Sequence, residues 1–454
     1  MDLKDKLVTV VGLGMRTGVE VVKFLAHRKA EIIVTDTKSE LELKDELEEL
    51  AGYDFQLDLG GHSPELILES DLIVVSPGVP ADIPLLVQAE EEGLEIIGEI
   101  ELAYRFSCTP LLGITGTNGK TTTTTLLGAV CNDLERNVVV GGNIGRALIK
   151  DLPDLEEEDL AIAEISSFQL EWITEFKAAI SVVLNITPDH LNRHSDFEDY
   201  IDAKKKLVTT QGEGDYAVLN YDDKIVRGFA ADTKAEVIFF SRREEIEGGV
   251  FVKEGWVIND LSRNKERLIA VNNLGLVGPH NLENVLAVVT SALLLGVKEE
   301  DIKTVLRSFT GIEHRLEKFI TIDGVSYIND SKATNPAAAI KGLQSFEQGV
   351  ILIAGGMDKK SDFAEFASQI SKRVKSLILL GETAHEIERE LKKLGYTNLL
   401  HVESIKEAVQ EASSLAQKND VVLLSPACAS WDMFNSYKER GNLFKAAVDE
   451  LRGE

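Results

Sequence analysis

The chain has 454 residues, 44% hydrophobic and 27% charged, which is ordinary globular composition and length enough for about three domains. A net charge of -28 and a pI near 4.8 argue against nucleic-acid or anionic-membrane partners, so any anionic ligand has to be held by local positive charge or metal. Cys108, Cys131 and Cys428 have neither CxxC nor zinc spacing, which implies no disulfide framework and suits a reducing compartment.

Leu7 to Leu13 is an apolar run interrupted by Gly12 and Gly14, with an acidic helical pattern behind it, and reads as a first strand, not a leader peptide. The helical pattern runs to about Arg28 and leads to Ile32, Ile33, Val34 and Asp36, the start of a doubly wound sheet. Its glycines stand at 12, 14 and 18, the last one place late for a dinucleotide fingerprint, although Asp36 occupies the acidic position. The turn is open to two readings, a nucleotide-type ligand at a helix N-terminus or a structural tight turn. Leu72 to Val75 runs into Ser76, Pro77 and Gly78 in the same manner, and a further pass reaches Ile96 and Ile97, closing a first domain near Gly98.

The segment from Leu111 to Thr125 dominates the chain. Leu111 and Leu112 run into Gly113, Ile114, Thr115, Gly116, Thr117, Asn118, Gly119 and Lys120, the end of a buried strand, a glycine turn and a helix start. Gly116 and Gly119 let backbone N–H groups curl around phosphate oxygens, Lys120 adds a positive charge, and the Thr121 hydroxyl can ligate magnesium. Ile114 stands where the full phosphate-loop pattern has glycine, so the match is to Gly-x-x-Gly-Lys-Thr.

Three more strands converge on this cradle: Val138 to Gly142 before Asn143, Leu160 to Glu164, and Ala179 to Leu184. Glu164 ends an apolar strand, and an ionised carboxylate there needs a partner such as magnesium. The third strand leads through Asn185, Thr187 and Asp189 to His190, a candidate metal contact beside the same cleft. Next, Phe197, Tyr200, Ile201, Lys204, Leu207 and Val208 recur at helical spacing, which places Lys204 on the buried face and leaves Lys205 and Lys206 solvated. Lys204 is either a snorkelling side chain or an amine whose pKa burial depresses into a useful range.

Short alternating runs at Tyr216 to Leu219, Val237 to Phe240 and Gly249 to Ile258 read as strands among variable loops. The apolar stretch Val285 to Val297 is too short to span a bilayer. Asn281 and Asn284 share a face near the start of its helix, placed for a nucleobase or a loop, while capping by Asn281 explains one of them equally well. Beyond Ile312 strands at Val350 to Ala354, Leu377 to Leu380 and Val421 to Leu424 alternate with helices in a second doubly wound sheet. Polar groups gather at its loops: His314, Arg315, Asn329 to Lys332, Thr334, Asn335, Asp358 to Lys360, Ser425 and Ser430.

On these residues the sequence resembles the Mur ligase family over essentially its whole length. Gly116 to Thr122 looks like the family's ATP motif, and Gly142 to Gly145, Glu164 to Leu170, Asp189-His190, Tyr200 to Lys204, His280 to Asn284 and His314-Arg315 are similar to its other central and linker motifs. Asn329 to Pro336 and Leu424 to Asp432 look like those of members that add D-glutamate. The resemblance implies an α/β fold of three domains: a Rossmann-like UDP-binding domain at 1–98, a P-loop ATPase-like domain at 99–311 and a Rossmann-like amino-acid-binding domain at 312–454.

It further implies ligation of D-glutamate to UDP-N-acetylmuramoyl-L-alanine through an acyl phosphate, with closure about Gly98 and Ile312. Gly116, Thr117, Asn118, Gly119, Lys120, Thr121, Thr122 and Thr123 would hold ATP phosphates, and Asn281, Asn284, Arg315 and Asp330 would frame adenine and ribose. Thr121 and Glu164 would bind a first magnesium ion. His190 and Lys204, the latter as its CO2-derived carbamate, would bind a second. Met15, Arg16, Thr37, Lys38, Ser76 and Gly78 occupy the family's UDP positions, and Arg16 and Lys38 depart from its usual residues. Asn143 would contact the same substrate, and Thr334, Lys359 or Lys360, Ser430 and Tyr437 would hold D-glutamate. The expected protein is a cytoplasmic monomer acting on small molecules, with no nucleic-acid or membrane partner. The rivals are another Mur or folylpolyglutamate-type ligase, a nicotinamide dehydrogenase built on the first glycine turn, and a nucleotide-binding regulatory module.

Overall fold

The computed structural model describes residues 1–452 apart from 133, 192, 277, 347–348 and 358–360. They form two compact units, Met1–Phe309 and Thr310–Glu454.

The first unit carries two sheets. Strands β1 (Leu7–Val11), β2 (Glu31–Asp36), β3 (Gln56–Leu59), β4 (Leu72–Val75) and β5 (Ile96–Gly98) make a five-stranded parallel sheet in the order β3-β2-β1-β4-β5. The order reverses between β1 and β4, and both strands are buried apart from Leu7 at the start of β1, as expected of mainly apolar runs covered on two faces. The second sheet has nine strands: β6 (Leu111–Thr115), β7 (Val138–Gly142), β8 (Leu160–Glu164), β9 (Ile180–Val183), β10 (Tyr216–Asn220), β11 (Glu236–Ser241), β12 (Val250–Lys253), β13 (Trp256–Asn259) and β14 (Glu266–Ala270). Their order is β14-β13-β12-β11-β10-β9-β6-β8-β7, parallel from β7 to β12 and antiparallel thereafter.

One apolar core runs between the two sheets, from Val8, Val10 and Ile97 through Ile100 and Leu102 to Ala163, Ile165, Phe176 and Leu207. A second core packs Ile114, Leu126 and Ile162 against Val285 to Val289 of the helix Pro279–Leu294. The 249–258 run, read as one strand, is two. Glu254 and Gly255 have positive φ (50° and 77°) and turn β12 back on β13 as a hairpin.

The second unit holds β15 (Glu317–Ile322), β16 (Val325–Asn329), β17 (Val350–Ala354), β18 (Val374–Leu379), β19 (Leu399–His401) and β20 (Val421–Leu424), ordered β15-β16-β20-β17-β18-β19. Only the β15-β16 pair is antiparallel. The three strands read from the sequence are the inner β17, β18 and β20; β15 and the short β19 were not foreseen because their half-exposed residues mix apolar and polar types, and β16, although mostly buried, because Ser326 and Asn329 break its apolar run.

Candidate active site

In the first unit the expected ligand turns lie at the carboxyl ends of parallel strands. Ile114 belongs to β6 and is fully buried, so the missing glycine is a strand residue packed in the core and the loop proper starts at Gly116. Gly116 and Gly119 have φ of 149° and 86°, and a side chain at 119 would collide with the Asn284 amide. Gly119 caps the helix Lys120–Cys131, whose first-turn N–H groups and dipole suit an anion. Two of the expected cradle amides are committed elsewhere: Thr117 N–H donates to the Asn185 carbonyl (2.8 Å) and Asn118 N–H to Asn185 Oδ1 (2.8 Å). Asn185 therefore sets the loop's shape, assisted by a Thr117–Tyr200 hydroxyl contact of 2.9 Å. Lys120 Nζ folds back on the carbonyls of Gly116 (2.7 Å) and Thr117 (3.0 Å). Thr121, Thr122 and Thr123 continue the helix, and Thr123 Oγ1 is buried with no hydrogen-bond partner.

Glu164, at the end of β8, is 2% exposed. Its Oε1 accepts from Asn143 Nδ2 at 2.7 Å, while its Oε2 is buried without a hydrogen-bond partner. An orphaned carboxylate oxygen beside a phosphate cradle is the arrangement a hard divalent cation satisfies. Lys204, on the helix Phe197–Thr209, is 1% exposed; its Nζ donates to the Gly116 carbonyl (3.1 Å) and Thr115 Oγ1 (3.3 Å) and lies 4.8 Å over the Tyr200 ring. Burial, with the nearby charge of Lys120, drives its pKa well below the ordinary 10.5, against the pull of Asp189 and Glu164. The snorkelling alternative is thereby set aside. Lys205 and Lys206 were expected to be solvated, but both are half-buried: Lys205 pairs with Asp202 at 3.1 Å and Lys206 donates to the Glu171 carbonyl at 2.8 Å. The helix is flanked by neighbours on two sides, so the off-face residues are covered as well.

His190 is half-exposed with φ 56°, its ring against Phe168 and Tyr200. Sequence reasoning missed His194, which is buried and joins Ser167 Oγ (2.9 Å) to Asp199 (3.3 Å), tying the β8 exit to the lysine helix. Asn281 is the third residue of its helix, capped at Gly278, so it is not the cap; Asn284 lies one turn on and packs against Gly119.

Met15, Arg16, Thr37, Lys38, Ser76 and Gly78 all line one cavity of about 510 Å³ at the β1–β4 reversal. Asp36 lines it too, and its two carboxylate oxygens each accept a backbone N–H, from Leu13 (2.8 Å) and Lys38 (2.9 Å), clamping two loops. Arg16 Nη1 donates to the Asn143 carbonyl at 2.8 Å, joining this pocket to the loop that holds Glu164. Behind it lies buried Glu99, which accepts from Ile149 N–H; burial pushes its carboxyl up to about 7, opposed by that N–H and by Arg16.

In the second unit, Asp330 follows β16 and is 5% exposed, accepting from Ser425 Oγ (2.7 Å) and Leu316 N–H (3.1 Å), and burial raises its carboxyl to about 6. Arg440, unsuspected from sequence, is wholly buried and donates to Ser331 Oγ and to the carbonyls of Ser331, Cys428 and Ala429, fastening together the two polar motifs. Ser430 is buried, Thr334 half-buried and Arg315 exposed, and the Tyr437 ring stands 5.9 Å from that of His314. Lys359 and Lys360 lie outside the described residues.

A phosphate-type cradle on a parallel sheet, backed by a buried carboxylate and a buried amine, defines a nucleotide-using α/β enzyme. Comparison with known proteins narrows the class. Residues 6–98 match the N-terminal domain described as Mur ligase MurD-like, 114–292 the Mur ligase middle domain and 314–428 the Mur ligase glutamate ligase domain. Proteins named UDP-N-acetylmuramoylalanine--D-glutamate ligase are 46% identical in Caldanaerobacter subterraneus subsp. tengcongensis and 45% in Clostridioides difficile, each covering 100% of both chains. Among solved structures, UDP-N-acetylmuramate-alanine ligase of Thermotoga maritima (TM-score 0.53, 18% identity, 99% of both chains) shares the fold. So does a pseudomurein peptide ligase type C of Methanothermus fervidus (TM-score 0.51, 21% identity, 98% of this chain and 100% of that one). The chain belongs to the Mur ligase family, whose members are ATP-dependent ligases.

Proposed function

We propose that the chain uses ATP to join D-glutamate to UDP-N-acetylmuramoyl-L-alanine in peptidoglycan precursor synthesis. Relatives that share 44–46% of their residues over nearly the full chain carry that activity in their names. The observation that carries the chemistry is an unpartnered Glu164 oxygen and a buried, pKa-depressed Lys204 amine together at the carboxyl ends of β8 and β6. We divide the chain at 98 and 311 into UDP-substrate, ATP and amino-acid domains.

A carboxylate is a poor electrophile, so the L-alanyl carboxylate takes the γ-phosphoryl group of ATP, releasing ADP and leaving an acyl phosphate. Lys120 neutralises charge on the transferring group, and the Gly116–Thr123 turn holds the phosphates. The amine of D-glutamate attacks the acyl carbon, the C–O bond to phosphate breaks, and the amine proton passes to solvent. Glu164 and Thr121 offer hard oxygens for one magnesium ion, and His190 with carbamylated Lys204 offers donors for another; bound magnesium supplies charge neutralisation on the phosphoryl oxygens. The carbamate arises when the free Lys204 amine adds to CO2 and loses a proton, which the depressed pKa favours. The 510 Å³ cavity takes the UDP group, with Arg16 and Lys38 facing its phosphates. Asn143 meets the same substrate, and Asn281, Asn284, Arg315 and Asp330 bind the adenosine part. Thr334, Lys359, Ser430 and Tyr437 bind D-glutamate. The enzyme works as a cytoplasmic monomer; among the described residues no helix is long and apolar enough to cross a membrane.

The test is ATP-dependent phosphate release with UDP-N-acetylmuramoyl-L-alanine, comparing D-glutamate, L-glutamate and meso-diaminopimelate. Release that depends on D-glutamate alone supports the assignment, and release indifferent to the amino acid overturns it.

A further inference from the structure

We propose that His385, Glu388 and His401 bind one divalent transition-metal ion of the zinc class, fastening the helix Ala384–Lys393 to the edge strand β19. The three residues have no part in the ligase chemistry. His385 and Glu388 are three apart on the helix and therefore share a face, and His401 is the last residue of β19, so the β18–helix–β19 connection brings them together.

The donor atoms are nearly assembled. His401 Nε2 lies 3.2 Å and His385 Nδ1 3.7 Å from the same Glu388 Oε2, and one ligand atom from each residue falls within a 4.8 Å group. Tetrahedral zinc with bonds of about 2.0–2.1 Å holds its ligand atoms roughly 3.3 Å apart. His385 is the farther of the two imidazoles from the carboxylate oxygen, and its side chain is 87% exposed. The other carboxylate oxygen, Oε1, is held by Lys392 at 2.8 Å, which fixes the carboxylate so that Oε2 faces both imidazoles, the role an outer partner plays at metal centres. Arg389, the other nearby cation, pairs with Glu386 and Glu390 and leaves the cluster to these three. In the structure the two imidazoles stack 4.9 Å apart. Two imidazoles and one carboxylate select zinc, cobalt or nickel over magnesium, which prefers an all-oxygen shell, so the site is chemically separate from the cradle. β19 is a three-residue edge strand paired only with β18, and a staple there protects an exposed edge.

The experiment titrates chelator-treated full-length protein with Zn²⁺ by calorimetry and with Co²⁺ by visible absorption, for the wild type, His385→Ala and His401→Ala. Millimolar Mg²⁺ is present throughout to occupy hard-oxygen sites. The wild type is expected to bind one more zinc per chain than either variant, or the same zinc at least about tenfold more tightly. Cobalt bands of a four- or five-coordinate centre should be lost in both variants. His385 is so exposed that its alanine variant leaves the fold intact, which far-UV circular dichroism checks. Equal zinc stoichiometry and affinity in all three proteins, or unchanged cobalt bands, overturns the proposal.

Discussion

The turn after β1 and the turn after β6 are built alike: a glycine with positive φ (Gly12 at 88°, Gly116 at 149°) leads a buried parallel strand into a helix. Their charges are arranged in opposite ways. Around the first turn the acid, Asp36, is satisfied by two backbone N–H groups, and the cations Arg16 and Lys38 are exposed. Around the second, Glu164 keeps a buried oxygen unpartnered and the Lys204 amine is buried and depressed. A satisfied acid and solvated cations suit holding a ligand; an unsatisfied acid and a buried amine are costly unless a reaction uses them. On the proposed function, the same backbone device would serve binding in one sheet and chemistry in the other.

Removing charge from the second turn should do the most damage. Lys120→Met is expected to lower kcat for phosphate release by about two to three orders of magnitude, with thermal stability nearly unchanged. Single-turnover phosphate release checks this, and a variant retaining a tenth of the rate would show that Lys120 only shapes the loop it donates to.

Lys204 comes next. Lys204→Ala should lose most activity and regain part of it with added short carboxylic acids, because a free carboxylate would replace the proposed carbamate; loss without rescue counts against that role. The buried amine also has a stability signature. Its pKa is lower folded than unfolded, so between the folded value and 10.5 the unfolded chain binds the extra proton and wild-type stability rises with pH. Lys204→Met should thus melt above the wild type in CO2-free buffer, with the gain shrinking as the pH approaches 10.5. A gain that stays constant from roughly pH 7 to pH 10 would show that the amine is not the source.

At the first turn the effects are smaller and fall on binding. Asp36→Asn can accept only one of the two loop N–H bonds through its remaining carbonyl oxygen, which should cost about 1–2 kcal/mol of stability and raise KM for the nucleotide-sugar substrate more than it lowers kcat. Chemical denaturation and steady-state kinetics separate the two. A fall in kcat with KM unchanged would place Asp36 on the chemical side of the comparison.

How much of this was legible differs between the two turns for a physical reason. β1, β6 and β8 are mainly apolar runs followed by glycine or ended by a carboxylate, and the 3.6-residue period alone put Lys204 on the buried face. The partners that decide what each charge does come from elsewhere in the chain. Asn185 lies 67 residues beyond the Asn118 amide it accepts from, and nothing local marks it as a loop-setting residue. Arg440 sits in an ordinary charged helical pattern and becomes a buried hub only when the loops after β16 and β20 converge on it. Lys206 looked solvated because periodicity assumes one covered face, whereas Glu171 covers a second.

Arg16 links the first turn to the loop after β7 that holds Glu164, and the smallest predicted effect tests that junction. Its guanidinium is exposed and donates to the Asn143 carbonyl, so Arg16→Ala should raise KM for the nucleotide-sugar about threefold to tenfold with little change in kcat. Arg16 also acts on Glu99, whose carboxyl burial lifts from its ordinary 4.5 to about 7. Between those values the folded chain binds a proton the unfolded chain has released, so this group makes stability fall as pH rises from about 4.5 to about 7. Without Arg16 the carboxyl rises further, and the decline should extend above pH 7 in the variant, readable as a melting temperature that keeps falling where the wild type has levelled. Superimposable pH profiles would mean that Arg16 acts on Asn143 alone, and the first turn would then be coupled to the Glu164 loop through a single hydrogen bond and not through buried Glu99.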